Sequence, residues 1–220
     1  MDLRKRPSAD TKLVARYAIS TFGAPPSVWR FTCEPEGLSV DIGGCADRPM
    51  AGVLSYTTIG LSDYDLALGP EPGKGDSPHL PERPVGCCAQ MGTVPFSARV
   101  ELAAACASDR PQFPNILAAA AMLLIRRQGE VKPGDSLRDV IAEFYPRATV
   151  SHLYLAQPFL WDQRLKRLQG AEKSIAWLLA VPVTSGELLH LETQGDAGLE
   201  ELYRQRRIDM YSLGRATWLT

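Results

Sequence analysis

The chain has 220 residues, of which 45% are hydrophobic, and its 24 lysines and arginines nearly balance its 25 aspartates and glutamates. That length can close a substantial hydrophobic core, so we expect one domain over residues 1–220. The near-neutral charge lacks the basic excess typical of binding to nucleic acid or anionic membranes, and neither partner is predicted.

The first part of the chain predicts a helix followed by an antiparallel meander. Ser8 or Asp10 can cap a helix that runs to about Thr21, where apolar residues recur at helical spacing before a Gly-Ala-Pro-Pro stop. Three β-prone pieces separated by turn sequences follow at 28–33, 38–42 and 53–59.

Residues 69–95 contain six prolines and five glycines. Neither a helix interior nor a central strand accepts that density, which predicts a long loop. Loops of this length are usually functional or disordered, and the sequence leaves both open.

The second part predicts strands around a buried helix. Residues 97–105 alternate, with Arg99 and Glu101 on one face and apolar residues on the other, as in a half-buried strand. Pro114 opens a helix through Ile125 that is apolar on all sides and ends near residue 128. Further strands are predicted at 150–156 and 175–183, and a final helix at 195–207.

These elements predict an α+β fold built on a mixed, mostly antiparallel sheet. The helix at 114–128 should pack on one face, with the N-terminal and C-terminal helices flanking it.

Localisation and redox state follow from what the sequence lacks. The first ten residues are charged and polar, unlike a secretory signal, and the apolar run 116–125 is too short to span a bilayer. Five cysteines have no disulfide-framework spacing, namely Cys33, Cys45, Cys87, Cys88 and Cys106. We therefore predict a cytoplasmic protein with free thiols.

Six short stretches, taken in order, resemble the Suppressor-of-fused domain family. They are Thr-Thr-Ile-Gly-Leu-Ser at 57–62, Arg-Val-Glu-Leu at 99–102, Phe-Pro-Asn-Ile-Leu at 113–117, Lys-Pro-Gly-Asp at 132–135, Leu-Ala-Val-Pro-Val-Thr at 179–184 with Glu187, and Ile-Asp-Met-Tyr-Ser-Leu-Gly-Arg at 208–215. The chain departs from the family pattern in its long 69–95 loop and in Ser185-Gly186, where acidic residues often stand.

Bacterial members of about this length resemble immunity proteins of polymorphic toxin systems, which neutralise a cognate toxin by binding it. Eukaryotic members carry a second domain, for which this chain has no room, and restrain a transcription factor in the cytoplasm. The resemblance thus implies an immunity protein that binds a protein toxin. The alternative is a cytoplasmic adaptor that sequesters an endogenous protein.

An enzyme is the less favoured hypothesis. Gly-Asp-Ser-Leu at 134–137 matches a serine-esterase signature, but no Asp-x-x-His follows Ser136 to complete a triad. Asp135 or Ser136 is expected instead to cap a short helix at 137–144. His152 and His190, each alone on a strand-like segment, are predicted to be structural.

No cofactor or metal is predicted. His79, Cys87 and Cys88 carry zinc-binding atoms, but adjacent cysteines rarely ligate one ion and no Cys-x-x-Cys pair is present. Cys33 and Cys106 are expected to be small core residues.

Partner contacts are predicted in the long loop and in the acidic segment 187–201, which has four glutamates, one aspartate and no lysine or arginine. Such a segment can meet a basic toxin face, although a solvated edge with helix-start acids explains it as well. The predicted contact residues are His79, Glu82, Arg83, Glu187, Glu192 and Asp196. Trp161, Trp177 and Trp218 are expected in the core, or as interface anchors where exposed.

Overall fold

The structure is a computed structural model that describes residues 7–23, 27–69, 98–161, 165 and 167–217. The strands are β1 Ser27–Cys33, β2 Leu38–Ala46, β3 Val53–Ile59, β4 Leu66–Leu68, β5 Arg99–Ala107, β6 Gly129–Val131, β7 Ser136–Leu137, β8 Val150–Ala156, β9 Leu168–Gln169 and β10 Ser174–Thr184. The helices are α1 Ala9–Phe22, α2 Phe113–Arg127 and α3 Ser185–Arg206, with a 3₁₀ turn at Leu61–Asp63. Among these helices, none is both long and apolar enough to cross a membrane.

The ten strands within the described residues form one sheet with the central order β1-β2-β3-β5-β10-β8-β7. Neighbours along this path are antiparallel except β5 and β10, which are parallel. The predicted mixed, mostly antiparallel sheet is confirmed. The predicted meander is β1 to β3, although β2 continues past Ile42 to Ala46.

The first helix begins and ends as its sequence predicts. Ser8 caps it, because its Oγ accepts a hydrogen bond of 2.9 Å from the backbone N–H of Thr11. It ends where Gly23 takes a φ of 76° and donates its N–H to Ile19. Its apolar stripe, Val14 with Ala18, is buried against the sheet.

Two apolar layers cover the two faces of the sheet. The buried helix α2 packs with Val40 and Leu102 on one face, as expected. The helices α1 and α3 share the other face, where they pack around Trp177 and Val181. The terminal helices therefore lie opposite α2, in a helix–sheet–helix arrangement.

The strand β5 is buried more completely than its alternation predicts. Its residues from Val100 to Cys106 are all buried, and Glu101 has no exposed surface. The half-buried assignment was wrong because β5 lies in the centre of the sheet, with a helical layer on each face.

The helix expected at 137–144 does not form. Ser136 and Leu137 make the strand β7, which pairs with β8, and Asp139 then takes a left-handed φ of 61°. Asp135 accepts a 2.9 Å hydrogen bond from the Lys132 N–H and so closes a turn instead of capping a helix.

The final helix α3 begins at Ser185, ten residues before the predicted start at 195. Thr184 and Glu187 form a capping box, in which each side chain accepts from the other's backbone N–H. Gly195 is non-helical, with a φ of 71°, so the predicted start is a kink inside the helix. The strand-like assignment of His190 was also wrong, because that residue lies in α3.

Candidate partner-binding surface

Two of the family-like stretches meet at the carboxylate of Glu101. Thr58 donates its hydroxyl to Oε2 at 2.5 Å, and the backbone N–H groups of Gly60 and Ser62 donate to Oε1 at 3.1 and 3.0 Å. The turn can close around the carboxylate because Gly60 takes a left-handed φ of 96°. Burial raises the pKa of Glu101 to about 7 despite these hydrogen bonds, and no described cation forms an ion pair with it.

The surroundings of Glu101 indicate a structural role. Its hydrogen-bond partners are a hydroxyl and two backbone amides, and they tie the turn after β3 to the central strand. Neither described histidine contacts it. The sequence offered a signal for this arrangement, since a glutamate in an otherwise apolar strand needs donors.

A second buried network joins the later stretches through Glu187. Arg215 Nη2 lies 2.6 Å from Glu187 Oε2 and also donates to the Pro182 carbonyl at 2.7 Å. Tyr203 donates its hydroxyl to the same Glu187 oxygen at 3.2 Å. Both ionised side chains are about 5% exposed or less. Glu187 is therefore an interior residue and is not presented to a partner, contrary to its predicted role as a contact.

Ser185, His152 and Asp139 lie in a row that resembles a catalytic triad in composition. Ser185 Oγ is 3.0 Å from His152 Nε2, and Asp139 Oδ1 is 3.5 Å from His152 Nδ1. A functioning triad needs Nδ1 to carry a proton toward the acid and Nε2 to accept from the serine.

The hydrogen bonds of His152 impose the opposite tautomer. Its Nδ1 accepts a hydrogen bond of 2.9 Å from the backbone N–H of Asp139, so in the neutral ring the proton is on Nε2 and is donated to Ser185. Burial also lowers the pKa of His152. This arrangement gives Ser185 no base, and His152 has the structural role that its sequence context predicts.

The esterase-like Ser136 has no histidine partner among the described residues. His152 bonds to Ser185 and Asp139, while His190 Nε2 contacts the Gly198 carbonyl at 3.3 Å. An Asp-x-x-His sequence does occur upstream, ending at His79, but it lies outside the described residues.

The cysteines and tryptophans that the structure describes are mostly interior. Cys45 and Cys106 are buried free thiols, and the free thiol of Cys33 is half-buried. Trp161 donates to Ser55 at 2.6 Å and Trp177 donates to Thr57 at 3.0 Å, both inside the core. No group of metal-ligating side chains occurs within the described ranges. Cys87, Cys88, His79 and Trp218 lie outside those ranges.

The remaining acids of segment 187–201 lie on α3, and we call them the α3 acidic face: Glu192, Asp196, Glu200 and Glu201. Glu192 forms an exposed ion pair with Arg138, and Glu201 pairs with Arg204. Asp196 is half-buried and accepts a hydrogen bond from the Tyr154 hydroxyl. Burial raises the pKa of Tyr154, and this hydrogen bond raises it further.

An exposed leucine adjoins this face, and the sequence did not single it out. Leu189 is 61% exposed and precedes Glu192 by three residues, so the two side chains are neighbours on the outer surface of the helix. Leu188 and Leu191 point into the core. An apolar side chain bordered by charged groups is a common composition for a protein-binding surface.

Comparison with known proteins assigns the family. The family profile described as Suppressor of fused protein (SUFU) matches residues 36–216. The chain belongs to the Suppressor of fused family. Immunity protein YqcF of Bacillus subtilis (strain 168) is 27% identical over 206 residues, which covers 94% of this chain and 95% of that protein.

Solved structures of Suppressor of fused proteins share the fold. A SUFU homologue from Neisseria gonorrhoeae FA 1090 superposes with a TM-score of 0.62 at 14% identity, over 96% of this chain and 98% of that one. The Sufu-Fu complex gives 0.58 at 16% identity, over 96% and 93%. Drosophila Suppressor of Fused gives 0.61 at 16% identity, over 96% of this chain and 51% of the fly protein.

Two of the predicted contact residues thus lie on the α3 acidic face, Glu192 and Asp196, and Glu187 lies in the interior. The other three, His79, Glu82 and Arg83, fall outside the described residues. Two of the family-like stretches have structural contacts. The stretch with Glu101 holds the turn after β3 in place, and the stretch that ends at Arg215 is held at the start of α3.

Proposed function

We propose that this protein is an immunity protein that neutralises a cognate toxin of a polymorphic toxin system by binding it directly in the cytoplasm. The observation that carries the proposal is the similarity to Immunity protein YqcF, which extends along nearly the whole of both chains. Non-catalytic action is consistent with the hydrogen bonding of His152, which leaves Ser185 without a base.

The α3 acidic face is the proposed contact surface among the described residues. Its carboxylates can steer a basic toxin into an encounter, and Leu189 can then be buried against an apolar patch of the partner. Glu192 and Glu201 already form ion pairs with arginines of this protein. Binding would replace these exposed pairs with pairs to the toxin, and because solvent screens exposed pairs, breaking them costs little. The predicted loop at 69–95, of which residues 70–95 lie outside the described residues, is the second proposed contact and would contribute specificity.

Co-expression tests the proposal directly. Secreted toxins encoded beside this protein's gene would be expressed in a sensitive host, with the protein supplied from a second plasmid. Neutralisation by binding predicts restored growth and a stable complex on gel filtration. Full toxicity in the presence of soluble protein, for every neighbouring toxin, would contradict the proposal.

A cytoplasmic adaptor that sequesters an endogenous protein is the second candidate. It is supported by the shared fold with the Sufu-Fu complex, in which Sufu is in a complex with Fu. Tagged protein captured from the producing cell distinguishes the two functions. Recovery of an endogenous regulator in place of a toxin favours the adaptor.

A further inference from the structure

A cavity of about 360 Å³ opens beside the N-terminal end of α2. Its walls come from three parts of the chain, with Arg110 after β5, Tyr145 and Arg147 before β8, and Leu213 and Gly214 near the C-terminal end. This volume lies in the range of small-molecule sites, which span about 300 to 1,000 Å³.

Arg110 is held in place at the cavity but is incompletely paired. Its guanidinium carbon lies 5.9 Å from the centroid of the Tyr145 ring, and the Tyr145 hydroxyl is itself fixed by a 2.9 Å hydrogen bond from the Gln112 N–H. The Arg110 Nε is buried and makes no hydrogen bond within the described residues. The nearby Asp109 Oδ1, at 3.4 Å, belongs to an exposed side chain and forms only a loose ion pair.

The cavity has an excess of positive charge. Arg147 is exposed and makes no hydrogen bond or ion pair within the part of the chain that the structure describes. Two guanidinium groups therefore line the cavity, and the solvent-exposed Asp109 carboxylate forms an ion pair only with Arg110, while Phe144, Pro146 and Leu213 supply an apolar wall. The Arg110 side chain is partly exposed and Arg147 is exposed, so both can reach a ligand in the cavity, and guanidinium groups match the two oxygens of a carboxylate.

We propose that this cavity binds an organic carboxylate on an apolar body, with the carboxylate paired to Arg110 and Arg147 and the apolar body against Leu213 and Phe144. A free small acid and the C-terminal carboxylate of a polypeptide share this chemistry. The site does not depend on toxin neutralisation, so either proposal can fail alone.

Phenylacetate is the probe, with phenylacetamide as its uncharged match and inorganic phosphate as a carboxylate-free anion. NMR titration of the whole protein should give saturable shifts of the Arg110 Nε–H and the Gly214 amide with phenylacetate, and weaker effects with the other two. Linear, unsaturated shifts, or equal binding of phenylacetamide, would overturn the proposal. Equal binding of phosphate would make this a general anion site and would also overturn it.

Two arginine variants and one control variant test whether phenylacetate binds in this cavity. Arg110→Gln should weaken phenylacetate by at least about tenfold, as expected for the loss of one charge-assisted hydrogen bond. Arg147→Gln removes the second proposed cation. Because Arg147 is exposed, this substitution should not impair folding. Arg127→Gln changes another exposed arginine, at the end of α2; it is the control and should leave affinity unchanged.

Gly214→Ala tests shape without changing charge. A methyl group there would lie 3.8 Å from Arg110 Nη2, which is ordinary van der Waals contact, so the variant should fold while it reduces the cavity. Phenylacetate should bind it more weakly. Unchanged affinity in both Arg110→Gln and Gly214→Ala would show that the ligand binds elsewhere.

The peptide N-acetyl-Ala-Phe, with a free C-terminal carboxylate, separates the two sources. Binding that matches phenylacetate and is lost in the C-terminal amide indicates a polypeptide end as the ligand. Binding of phenylacetate alone indicates a free small acid.

Discussion

Arg215 and Glu187 form a buried ion pair, with Nη2 and Oε2 2.6 Å apart, that joins the end of the chain to the start of α3. Glu187 also closes the capping box of that helix through its bond to the Thr184 N–H. One side chain therefore fixes both the first turn of α3 and the segment that carries Arg215.

Arg215→Met should lower the free energy of unfolding by about 3 to 5 kcal/mol, because it leaves the Glu187 carboxylate buried without its cation. Urea denaturation measures the change. Arg204→Met is the matched control, since Arg204 pairs with Glu201 at the exposed end of the same helix and solvent screens that pair. Equal destabilisation by the two substitutions would show that the buried pair has no special role.

Glu101→Gln should change how stability depends on pH. Free glutamate titrates near 4.5 and buried Glu101 at about 7, so the folded protein binds more protons than the unfolded chain between these values. The free energy of unfolding should therefore decrease as pH rises through this window, by an amount approaching about 3 kcal/mol.

Glutamine keeps an oxygen for the Gly60 and Ser62 amides and stays neutral at every pH, so the variant should lose this decrease. The measurement is urea denaturation of both proteins from pH 4 to about 8. Other groups, such as Asp63 with its lowered pKa beside Lys173, titrate in both proteins and cancel in the difference. Parallel pH profiles would contradict a protonated Glu101.

Ser136→Ala and Ser185→Ala should both leave neutralisation of the toxin unchanged. Ser136 is in the short strand β7 without a described histidine partner, and Ser185 accepts a hydrogen bond from His152 instead of donating one. Growth protection and the melting temperature are measured together. Loss of protection at an unchanged melting temperature, in either variant, would restore the serine-hydrolase hypothesis.

Sequence predicted the fold best where local signals and packing agree. The apolar residues of α2 and the Ser8 cap of α1 were sufficient on their own. The helix expected at 137–144 failed because pairing of Ser136 and Leu137 with β8 overrides the local capping tendency. The start of α3 had a sequence signal, the Thr184-x-x-Glu187 capping box, but the acids around Gly195 resembled a helix start more strongly.

The side-chain contacts of Glu187, of the cavity and of Glu101 were harder to predict from the sequence, because the residues that meet there are distant along the chain. Nothing local to Glu187 shows that Arg215 will bury it, so an acidic segment appears uniformly solvated. The cavity is a similar case, since Arg110, Tyr145 and Gly214 meet only after folding. A glutamate in the apolar run of β5 signals that its carboxylate needs donors, but not that the turn around Gly60 supplies them.

Neutralising the α3 acidic face should slow association with a basic toxin. The variant Glu192→Gln/Glu200→Gln/Glu201→Gln retains Asp196, which is hydrogen-bonded by Tyr154. Its association rate should fall by about tenfold at low salt and by less at high salt, because screening removes long-range attraction. Glu172→Gln, an exposed acid outside α3, is the control. If the variant and the parent protein associate at the same rate at every salt concentration, electrostatic steering by this face is excluded.

Leu189→Ala should act on the dissociation rate instead. Its side chain is 61% exposed, so truncation leaves the fold intact and removes apolar area only from a bound complex. Surface plasmon resonance with the captured toxin separates the two rate constants. A faster dissociation rate with an unchanged association rate is expected. Unchanged kinetics for both this variant and the triple glutamine variant would move the contact surface away from α3.

Replacement of residues 71–92 by a short Gly-Ser connector should weaken toxin binding and leave the melting temperature nearly unchanged. The free energy of closing a loop depends only weakly on its length, so shortening this predicted loop should not unfold the core. Specificity commonly lies in such segments, and this one is the largest departure from the Suppressor of fused pattern. Calorimetry of both proteins with the same toxin gives the affinities.

A loop of the same length and composition in scrambled order is the matched control, and the triple variant His79→Ala/Glu82→Ala/Arg83→Ala tests the predicted contacts in the intact loop. If the scrambled loop or the connector binds within about twofold of the parent, a difference of about 0.4 kcal/mol, the segment is a spacer and recognition belongs to the α3 acidic face or to β1, the outermost described strand at that end of the sheet.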